Sequence, residues 1–467
     1  MTGPEPDHRA LSTPTQRRAL HALEAAGIDL ISVASASYRR RLAQLSNTQL
    51  RNRQPLGLAQ PRSLTDISRI LRIAQTHGVS VSVLGGGHSA RSVIDGAVVL
   101  DLQPHFDSVA FSGGELLVGG GATVANVLAT AAVRGRTVPV GRAGTVGMGL
   151  FLHGGIGTLT RQAGFTCDHI RGVTAVLADG SIREIGPQGA AAQDKDLWWA
   201  LRGVGSLIGV MTQLRVSTVA DRRVWSWREE IEAVAAIDWL ATSLHTPADQ
   251  CYTIVLSGTA ANVECSATQP SAPVPRRLGG LLSSGASEHS CRYSAQPGLP
   301  PPGTYNAEHD VQHVGELSAG YFIRPDGLSE LSRALRSTCA SIPARGCFVE
   351  LQQIGGRSAE GPRDMAFWPR DAAWLVSLHG PWAHLDERVP VQRWLAQARE
   401  RLMPLSLSTY LVDLPPTHSE AQLRDSFGPN ASRLQRLLAR LGRKGPDGAR
   451  LGVDRTGLGG ADSGVNS

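Results

Sequence analysis

The sequence predicts an α+β fold with more than one domain, on three observations. The chain has 467 residues, which is too long for one typical hydrophobic core and suggests roughly two to three domains. Up to about residue 220, short helix and strand patterns alternate around two separate glycine-rich tracts. Beyond about residue 224 glycine becomes scarcer, and the patterns are typical of a second α+β module.

The first glycine-rich tract follows a helix and a strand. A helix is predicted over residues 63–78, because Ser63 is a favourable N-cap and a repeating apolar stripe follows it. The alternating run VSVSV predicts a strand over residues 79–83, and the tract LGGGHS occupies residues 84–89. Since glycine has no Cβ, successive backbone N–H groups of such a loop can approach an anion closely.

The second glycine-rich tract lies at residues 141–157, after a strand predicted over 115–119 and a helix predicted over 123–134. Two loops of this kind suit the pyrophosphate of a dinucleotide. The spacing is not that of a Rossmann loop, because Leu152 stands where the third glycine is needed. Taken alone, either tract is explained equally well by a tight turn.

Further elements are predicted on both sides of residue 224. Strands are predicted over 173–178, 252–256 and 347–352, and a helix over 327–338. Residues 266–304 are rich in Pro, Ser and Gly, which predicts a solvent loop or a poorly ordered insertion.

The composition excludes several classes of protein. No stretch approaches about 20 consecutive apolar residues, so no membrane span is predicted. Residues 1–10 carry Pro, Asp and Glu where a secretory signal would be basic and then apolar, which favours a cytoplasmic location. The net charge of +6 comes from scattered basic residues, so a nucleic-acid partner has no support beyond the high isoelectric point. The six cysteines lack the patterns of a disulfide framework and of a zinc site, so we expect free thiols and no metal.

Several motifs, in their order along the chain, resemble one known family. The runs are GGGHS at 85–89, DGAVVLD at 95–101, GTVG at 144–147, GGIG at 154–157 and DLWWALRG at 196–203. They resemble the FAD-binding domain of the berberine-bridge-enzyme-like oxidases, which belong to the vanillyl-alcohol-oxidase superfamily. Later runs resemble the same family's substrate-domain signature, at residues 355–372, and its returning C-terminal segment, at residues 427–434.

The resemblance implies a two-subdomain PCMH-type FAD-binding domain with an inserted α+β substrate-binding domain. The implied divisions are an N-terminal helical segment at 1–54, the FAD-binding domain at 55–223, the substrate-binding domain at 224–412, a return segment of the FAD-binding domain at 413–445 and a flexible tail at 446–467.

The resemblance also implies the cofactor and its attachment. In the family, the histidine of the first glycine loop is bonded to the 8α position of FAD, so His88 would carry that link. Many relatives add a second link from a cysteine, but Ala143 stands at that position here, so a single covalent link is predicted. The predicted FAD-binding residues are Leu84, Gly85, Gly86, Gly87, His88, Ser89, Gly144, Thr145, Gly147, Gly149, Gly154, Gly155, Gly157, Val210 and Asn430.

Three residues are candidates for the chemistry. Hydride transfer to FAD needs a base that takes a proton from the adjoining oxygen or nitrogen. Tyr410 resembles a tyrosine that faces the flavin in the family, although Val412 replaces an asparagine that usually accompanies it. Glu350 shares one face of a predicted strand with Gln352. His153, beside Gly154 in the second tract, stands where the resembled family usually has a further glycine.

The expected function is therefore that of a flavin-dependent oxidase. The resemblance suggests a small-molecule substrate, a secondary-metabolite alcohol, amine or activated C–H, with dioxygen as electron acceptor. The alternatives are a dehydrogenase with another acceptor and a flavin-bearing protein that only binds or cyclises its ligand. A monomer or homodimer without membrane or nucleic-acid partners is expected.

Overall fold

The computed structural model describes residues 13–188, 192–268, 281–282, 286–298, 314–344, 346–414 and 420–441. The helices in these ranges are α1 Pro14–Ala25, α2 Ala36–Ala43, α3 Leu64–Thr76, α4 Gln103–Phe106, α5 Val124–Ala132, α6 Thr160–Ala163, α7 Ala192–Val204, α8 Ala233–Trp239, α9 Leu328–Ala340, α10 Arg388–Leu402, α11 Glu420–Phe427 and α12 Ala431–Arg440. The strands are β1 Leu30–Ile31, β2 Gly57–Ala59, β3 Val81–Leu84, β4 Val98–Asp101, β5 Val109–Ser112, β6 Glu115–Gly119, β7 Arg136–Thr137, β8 Ile170–Leu177, β9 Ile182–Ile185, β10 Gly209–Val216, β11 Val219–Ala220, β12 Arg223–Glu232, β13 Gln250–Ser257, β14 Ala260–Ala267, β15 Ser287–Arg292, β16 Gly315–Ile323, β17 Phe348–Gln353, β18 Trp374–Trp382 and β19 Ser406–Thr409.

These bounds confirm the predicted α+β fold and most of its predicted elements. The helix predicted over 63–78 is α3, and the Ser63 side chain caps it by accepting a hydrogen bond from the backbone N–H of Asp66. The helix predicted over 123–134 is α5, with Thr123 as its N-cap. The helix predicted over 327–338 is α9, and the predicted flexible tail lies outside the described residues.

The first sheet has the strand order β1-β2-β4-β3 and leads into the first glycine-rich tract. Strands β2, β4 and β3 are parallel, and β1 pairs antiparallel with β2. Helices α1 and α3 cover this sheet through an apolar core that includes Leu23, Ile67 and Leu100. The segment before residue 55, expected to be helical, thus also contributes a strand, because β1 pairs with β2.

The second sheet is antiparallel, with the order β5-β6-β10-β8-β9. Helices α5 and α7 pack on the same core, which includes Val127, Leu201 and Leu214. The second glycine-rich tract lies between β7 and β8.

The third sheet is antiparallel and, within the described residues, has eight strands in the order β15-β12-β14-β13-β17-β18-β16-β19. Alternate residues of a strand point to opposite faces. Along β16, Tyr321 and Ile323 pack in a core with helices α8, α9 and α10, whereas Phe322 packs in the core shared with the second sheet. The sheet therefore lies between its own helices and the glycine-tract half of the molecule.

The chain returns to the first half of the molecule after β19. Leu434, Leu437 and Leu438 of α12 join the core that contains α7. The guanidinium of Arg433 lies 4.3 Å from the centre of the Trp199 ring and forms an ion pair with Asp196.

A buried ion pair between Asp168 and Arg370 is among the contacts that connect the third sheet to the half of the molecule that contains the glycine-rich tracts. Asp168 follows the second glycine-rich tract, and Arg370 precedes β18; their side chains are 9% and 1% exposed. Arg370 donates two hydrogen bonds to the Asp168 carboxylate and one to the backbone carbonyl of Ser358. A buried charge that loses its partner is strongly destabilising, so this pair restricts how the two halves can pack.

We expect Asp168→Asn to lower the free energy of unfolding by about 3–5 kcal/mol, because it leaves the Arg370 guanidinium buried without a counter-charge. The matched control is Asp371→Asn, which removes the exposed pair with Arg363 and should leave the free energy of unfolding nearly unchanged. Denaturant unfolding of the purified variants measures both values. Equal losses in the two variants would contradict a special role for the buried pair.

The two glycine-rich tracts touch each other through their backbones. A Cβ on Gly86 would overlap the backbone of Thr145, Val146 and Gly147, and a Cβ on Gly147 would overlap the backbone of Gly86. Backbone atoms cannot move away as the end of a flexible side chain can. Both positions therefore require glycine, and the contact holds the two loops side by side.

We expect Gly86→Ala to destabilise the protein by about 1–3 kcal/mol or more, because the added methyl group overpacks a contact between two backbones. The control is Gly85→Ala in the same loop, where the nearest atom to a Cβ is the Gly120 carbonyl oxygen at 3.5 Å, an ordinary contact. Thermal unfolding should separate the two variants. A Gly86→Ala protein with the melting temperature of Gly85→Ala would show that the loops tolerate separation.

Candidate functional site

A cavity of about 440 Å³ lies where the two glycine-rich tracts meet the third sheet. Its volume is in the range of cofactor and small-ligand sites. The first glycine-rich tract forms one wall of the cavity, and the second tract forms another. The third wall is formed by β16, β18 and the segment after β19. The cavity thus extends across both halves of the molecule.

The first wall presents the His88 imidazole to the cavity. Its Nε2 atom lies 2.9 Å from the Thr145 hydroxyl of the second tract. The Ser46 hydroxyl donates a 3.3 Å hydrogen bond to the same Thr145 oxygen. The Asn47 amide donates a hydrogen bond to the His88 carbonyl oxygen. The surrounding walls reduce contact with bulk water, which lowers the pKa of His88 and favours the neutral imidazole. His88 is therefore a neutral, oriented side chain at the junction of the two tracts.

The second wall contains His153, at the end of the 3-10 helix Met148–His153. Its Nδ1 atom lies 2.9 Å from the Gly203 carbonyl oxygen, and its Nε2 atom lies 2.8 Å from the Ser206 hydroxyl. Burial lowers the pKa of His153 to about 4, so the ring is neutral near pH 7. Because the carbonyl oxygen can only accept, Nδ1 carries the proton and Nε2 accepts from Ser206. Both nitrogens are therefore occupied.

Tyr410, the first candidate for the base, lines a different and much smaller cavity of about 20 Å³, together with His153, Phe322 and Phe367. Its side chain is buried, and the rings of Phe322 and Tyr410 meet edge to face with centres 5.2 Å apart. Burial raises the pKa of Tyr410 well above its usual range. The phenol is consequently held in its neutral form.

The third wall contributes a cluster of ionisable side chains. Glu316 of β16, His379 of β18 and Asp413 line the cavity, and Glu350 of β17 lies beside them. His379 Nδ1 lies 3.2 Å from Glu316 Oε1, and His379 Nε2 lies 3.8 Å from Glu350 Oε2. The Ser377 hydroxyl donates a 2.7 Å hydrogen bond to Asp413.

The charges in this cluster shift each other's protonation. Burial alone would lower the pKa of His379, but the hydrogen bond to Glu316 and the negative charges of Glu316, Glu350 and Asp413 raise it to about 9. Burial raises the pKa of Asp413, and the positive charge of His379 acts against that rise. At neutral pH His379 is thus an imidazolium between two carboxylates.

The other predicted site residues divide into two groups. Those that line the large cavity are Gly85, Gly86, Gly87, His88, Ser89, Gly147, Gly149 and His153. Those that contact other parts of the protein instead are Leu84, Gly144, Thr145, Gly154, Gly155, Gly157, Val210, Glu350, Tyr410 and Asn430.

Several predicted residues that do not line the large cavity have structural contacts that account for their residue type. A Cβ on Gly154 would overlap the Phe367 ring, and a Cβ on Gly157 would overlap the backbone of Val140. The Asn430 amide donates hydrogen bonds to the carbonyl oxygens of Met365 and Ala366. Whether these residues contact a bound cofactor stays a prediction.

Three ionisable cavity residues are absent from the sequence-based candidates: Arg91, Glu316 and His379. Arg91 donates a hydrogen bond to the Leu411 carbonyl oxygen, and burial lowers its pKa to about 10, so it stays charged at neutral pH. The two-residue period of a strand places Ser377 and His379 on one face of β18, so the sequence alone could have predicted that they lie side by side. The neighbours of that face could not be read from the sequence, because they come from distant strands.

Three further observations concern the described residues. No helix in the described ranges is long and apolar enough to cross a membrane. The part of the chain that the structure describes contains no group of three or more His, Cys, Asp or Glu residues placed to hold a metal ion. All six cysteines are described, and all are free thiols, as predicted.

The residues present fit FAD. Glycines of both tracts line the cavity, so their backbones can approach phosphate oxygens with no side chain between them. His88 stands at the same junction with only one ring nitrogen hydrogen-bonded among the described residues. Glycine backbones and a neutral imidazole that line one cavity suit a dinucleotide of this kind.

A family model described as an FAD-binding domain matches residues 55–186. The chain is 30% identical over 228 residues to (R)-6-hydroxynicotine oxidase of Paenarthrobacter nicotinovorans, a match that covers 46% of this chain and 48% of that protein. It is 30% identical over 173 residues to a chitooligosaccharide oxidase of Gibberella zeae, covering 36% of this chain and 34% of that protein. These matches thus span about a third to a half of the relatives' length.

Two solved structures share the fold over nearly their whole length. The berberine-bridge-enzyme-like 1 protein of Physcomitrella patens has a TM-score of 0.76 at 18% identity, covering 93% of this chain and 99% of that one. Glucooligosaccharide oxidase of Acremonium strictum, described with a 6-S-cysteinyl, 8α-N1-histidyl FAD, has a TM-score of 0.75 at 19% identity, covering 91% and 96%. Residues 55–186 thus match an FAD-binding domain, and the described chain shares the fold of these two solved proteins.

Proposed function

We propose that this protein is an oxidase that carries FAD on His88 and oxidises a small organic molecule in the same cavity. The observation that carries the proposal is the position of His88, at the junction of both glycine-rich tracts and facing a cavity that reaches the third sheet. Bound FAD supplies a two-electron acceptor, which takes a hydride from the substrate and gives the electrons to dioxygen.

The contacts of His88 favour one ring nitrogen for the link. Nε2 lies 2.9 Å from the Thr145 hydroxyl, and Nδ1 has no hydrogen bond to any described residue. A neutral imidazole with an unshared Nδ1 electron pair is a suitable nucleophile, and Thr145 orients the ring. We therefore propose a single 8α link at Nδ1. The second, cysteinyl link of the glucooligosaccharide oxidase has no counterpart here, because Ala143 stands at that position.

The wall formed by the third sheet defines where the substrate would lie. This wall carries the ionisable cluster and Ser318, and the described lining residues include no Phe, Tyr or Trp. Trp374 is buried in the core of the third sheet. A substrate with an O–H or N–H next to the oxidised carbon suits polar partners of this kind, in agreement with an alcohol or amine. The expected cytoplasmic location and the monomeric or homodimeric state belong to the same proposal.

We expect protein purified in the presence of FAD to stay yellow after acid precipitation, and a His88 peptide to gain the mass of one FAD. His88→Ala should release all flavin on precipitation. The control is His105→Ala, which changes an exposed histidine outside the cavity and should keep the label. Peptide mass spectrometry locates the link, and labelling that persists in His88→Ala would refute the assignment.

We expect an alcohol or amine substrate to bleach the flavin absorbance without oxygen, and air to restore it with formation of peroxide. A first panel takes 6-hydroxynicotine, a chitooligosaccharide and a glucooligosaccharide, after the relatives' names. Stopped-flow absorbance in air and in nitrogen measures reoxidation. A reduced flavin that is stable in air but responds to a dye would identify a dehydrogenase. No bleaching by any alcohol or amine would favour a protein that only binds or cyclises its ligand.

A further inference from the structure

The cluster on the third wall has the arrangement of a general base with its supporting groups. His379 is 23% exposed and lines the cavity, and its two ring nitrogens face carboxylates of two different strands. Glu316 is adjacent to Nδ1, and Glu350 is adjacent to Nε2. The Phe348 ring stacks on the imidazole with centres 4.6 Å apart and planes 14° apart, which fixes the ring orientation.

The two distances differ in a way that decides the tautomer. The 3.2 Å contact between Nδ1 and Glu316 is a hydrogen bond, so the neutral ring keeps its proton on Nδ1. The 3.8 Å separation between Nε2 and Glu350 exceeds hydrogen-bond length. Neutral His379 therefore has an electron pair at Nε2 that can accept a proton, with a carboxylate nearby to stabilise the resulting imidazolium.

The other candidates are less suited to accept a proton. The Tyr410 phenol is held neutral and lines the small cavity rather than the large one. Both nitrogens of His153 are engaged, by Gly203 and Ser206. Glu350 does not line the cavity, although it lies beside His379.

Resting on the function proposed above, we propose that His379 is the catalytic base, and that Glu316 and Glu350 are positioning residues that set its proton affinity. Bound FAD would supply the hydride acceptor for the substrate carbon, and Nε2 of His379 would take the proton from the adjoining O–H or N–H. Two electrons and two protons leave, and the C–O or C–N single bond becomes a double bond. This proposal replaces Tyr410, the first candidate for the base, with His379 of β18.

The proposal fixes the direction of the pH dependence. The charged and titratable groups that face His379 are Glu316 of β16, Glu350 of β17 and Asp413 after β19. Their negative charge favours the imidazolium, so the active, neutral ring becomes abundant only as the pH rises towards about 9. Below that pH the rate of flavin reduction should rise about tenfold per pH unit. Removing a carboxylate should move the profile to lower pH.

The first experiment needs no substrate. In the flavin-loaded protein labelled with ¹⁵N-histidine, the resonance missing from His379→Gln identifies His379, and its titration should have a midpoint near 9. Glu350→Gln should lower that midpoint by about one unit, because an opposite charge within a few ångströms shifts a pKa by about 1–3 units. Glu360→Gln, an exposed carboxylate paired with Arg357, is the control and should leave it unchanged. A midpoint near 6.5 in wild type, or one that Glu350→Gln does not move, would overturn the proposal.

The second experiment follows anaerobic flavin reduction by 6-hydroxynicotine or a glucooligosaccharide between pH 6 and about 10, the range that spans this titration. His379→Gln should slow reduction by about 10²–10⁴-fold with unchanged covalent flavin, the usual contribution of a general base. The control is His384→Gln, beyond the end of the same strand and outside the cavity. In Glu350→Gln the pH profile should shift by the same amount as the NMR midpoint.

The outcomes separate this inference from the function on which it rests. If wild type is reduced but His379→Gln keeps its rate and pH profile, only the assignment of the base fails. If no compound reduces the wild-type flavin, the redox function fails and the assignment fails with it. If His379→Gln loses its covalent flavin, the histidine is structural and the proposal is wrong.

Discussion

The contact between the backbones of the two glycine-rich tracts is the constraint on which the rest of the site depends. Gly86 and Gly147 approach so closely that neither position has room for a Cβ. The contact joins a loop of the first, mixed sheet to the tract that leads into β8 of the second, antiparallel sheet. It also brings Thr145 within hydrogen-bond distance of His88. Without it, the two walls would not form one cavity and His88 would lose its orientation.

The third wall depends on a different kind of interaction. The third sheet packs apolar residues such as Phe322 and Leu375 into the core of the second subdomain, and the buried pair of Asp168 and Arg370 connects the two halves. Apolar burial supplies most of the stabilisation but is not directional, whereas a buried ion pair is costly unless its geometry is kept. The combination gives the cavity a wall that is both stable and fixed in position relative to the glycine tracts.

The sequence predicted the parts of this protein that depend on local chemistry. Ser63 and Thr123 identified two helix starts, because a side-chain cap acts within one turn. Glycine loops after strands identified the cavity's first two walls. The two-residue period placed Glu350 and Gln352 on one face of β17, and the Gln352 amide indeed donates a hydrogen bond to Glu350.

The parts that were not predicted depend on strand order in the third sheet. Glu316, Glu350 and His379 lie on β16, β17 and β18, yet in the sheet β18 lies between β17 and β16. That order places a histidine between two carboxylates, and no spacing along the chain encodes it. Tyr410 is the converse case, because its motif was visible but its burial beside Phe322 was not.

The position of the ionisable cluster on a sheet has a physical advantage for chemistry. Side chains on paired strands have their backbones fixed by hydrogen bonds on both sides, so a proton acceptor there keeps its geometry better than one on a loop. The Asp413 carboxylate packs directly against the backbone of β16, since a Cβ on Gly320 would overlap it. A glycine in the middle of a strand gives up packing and backbone entropy. That loss is explained here, because only glycine leaves room for the carboxylate between β16 and the cavity.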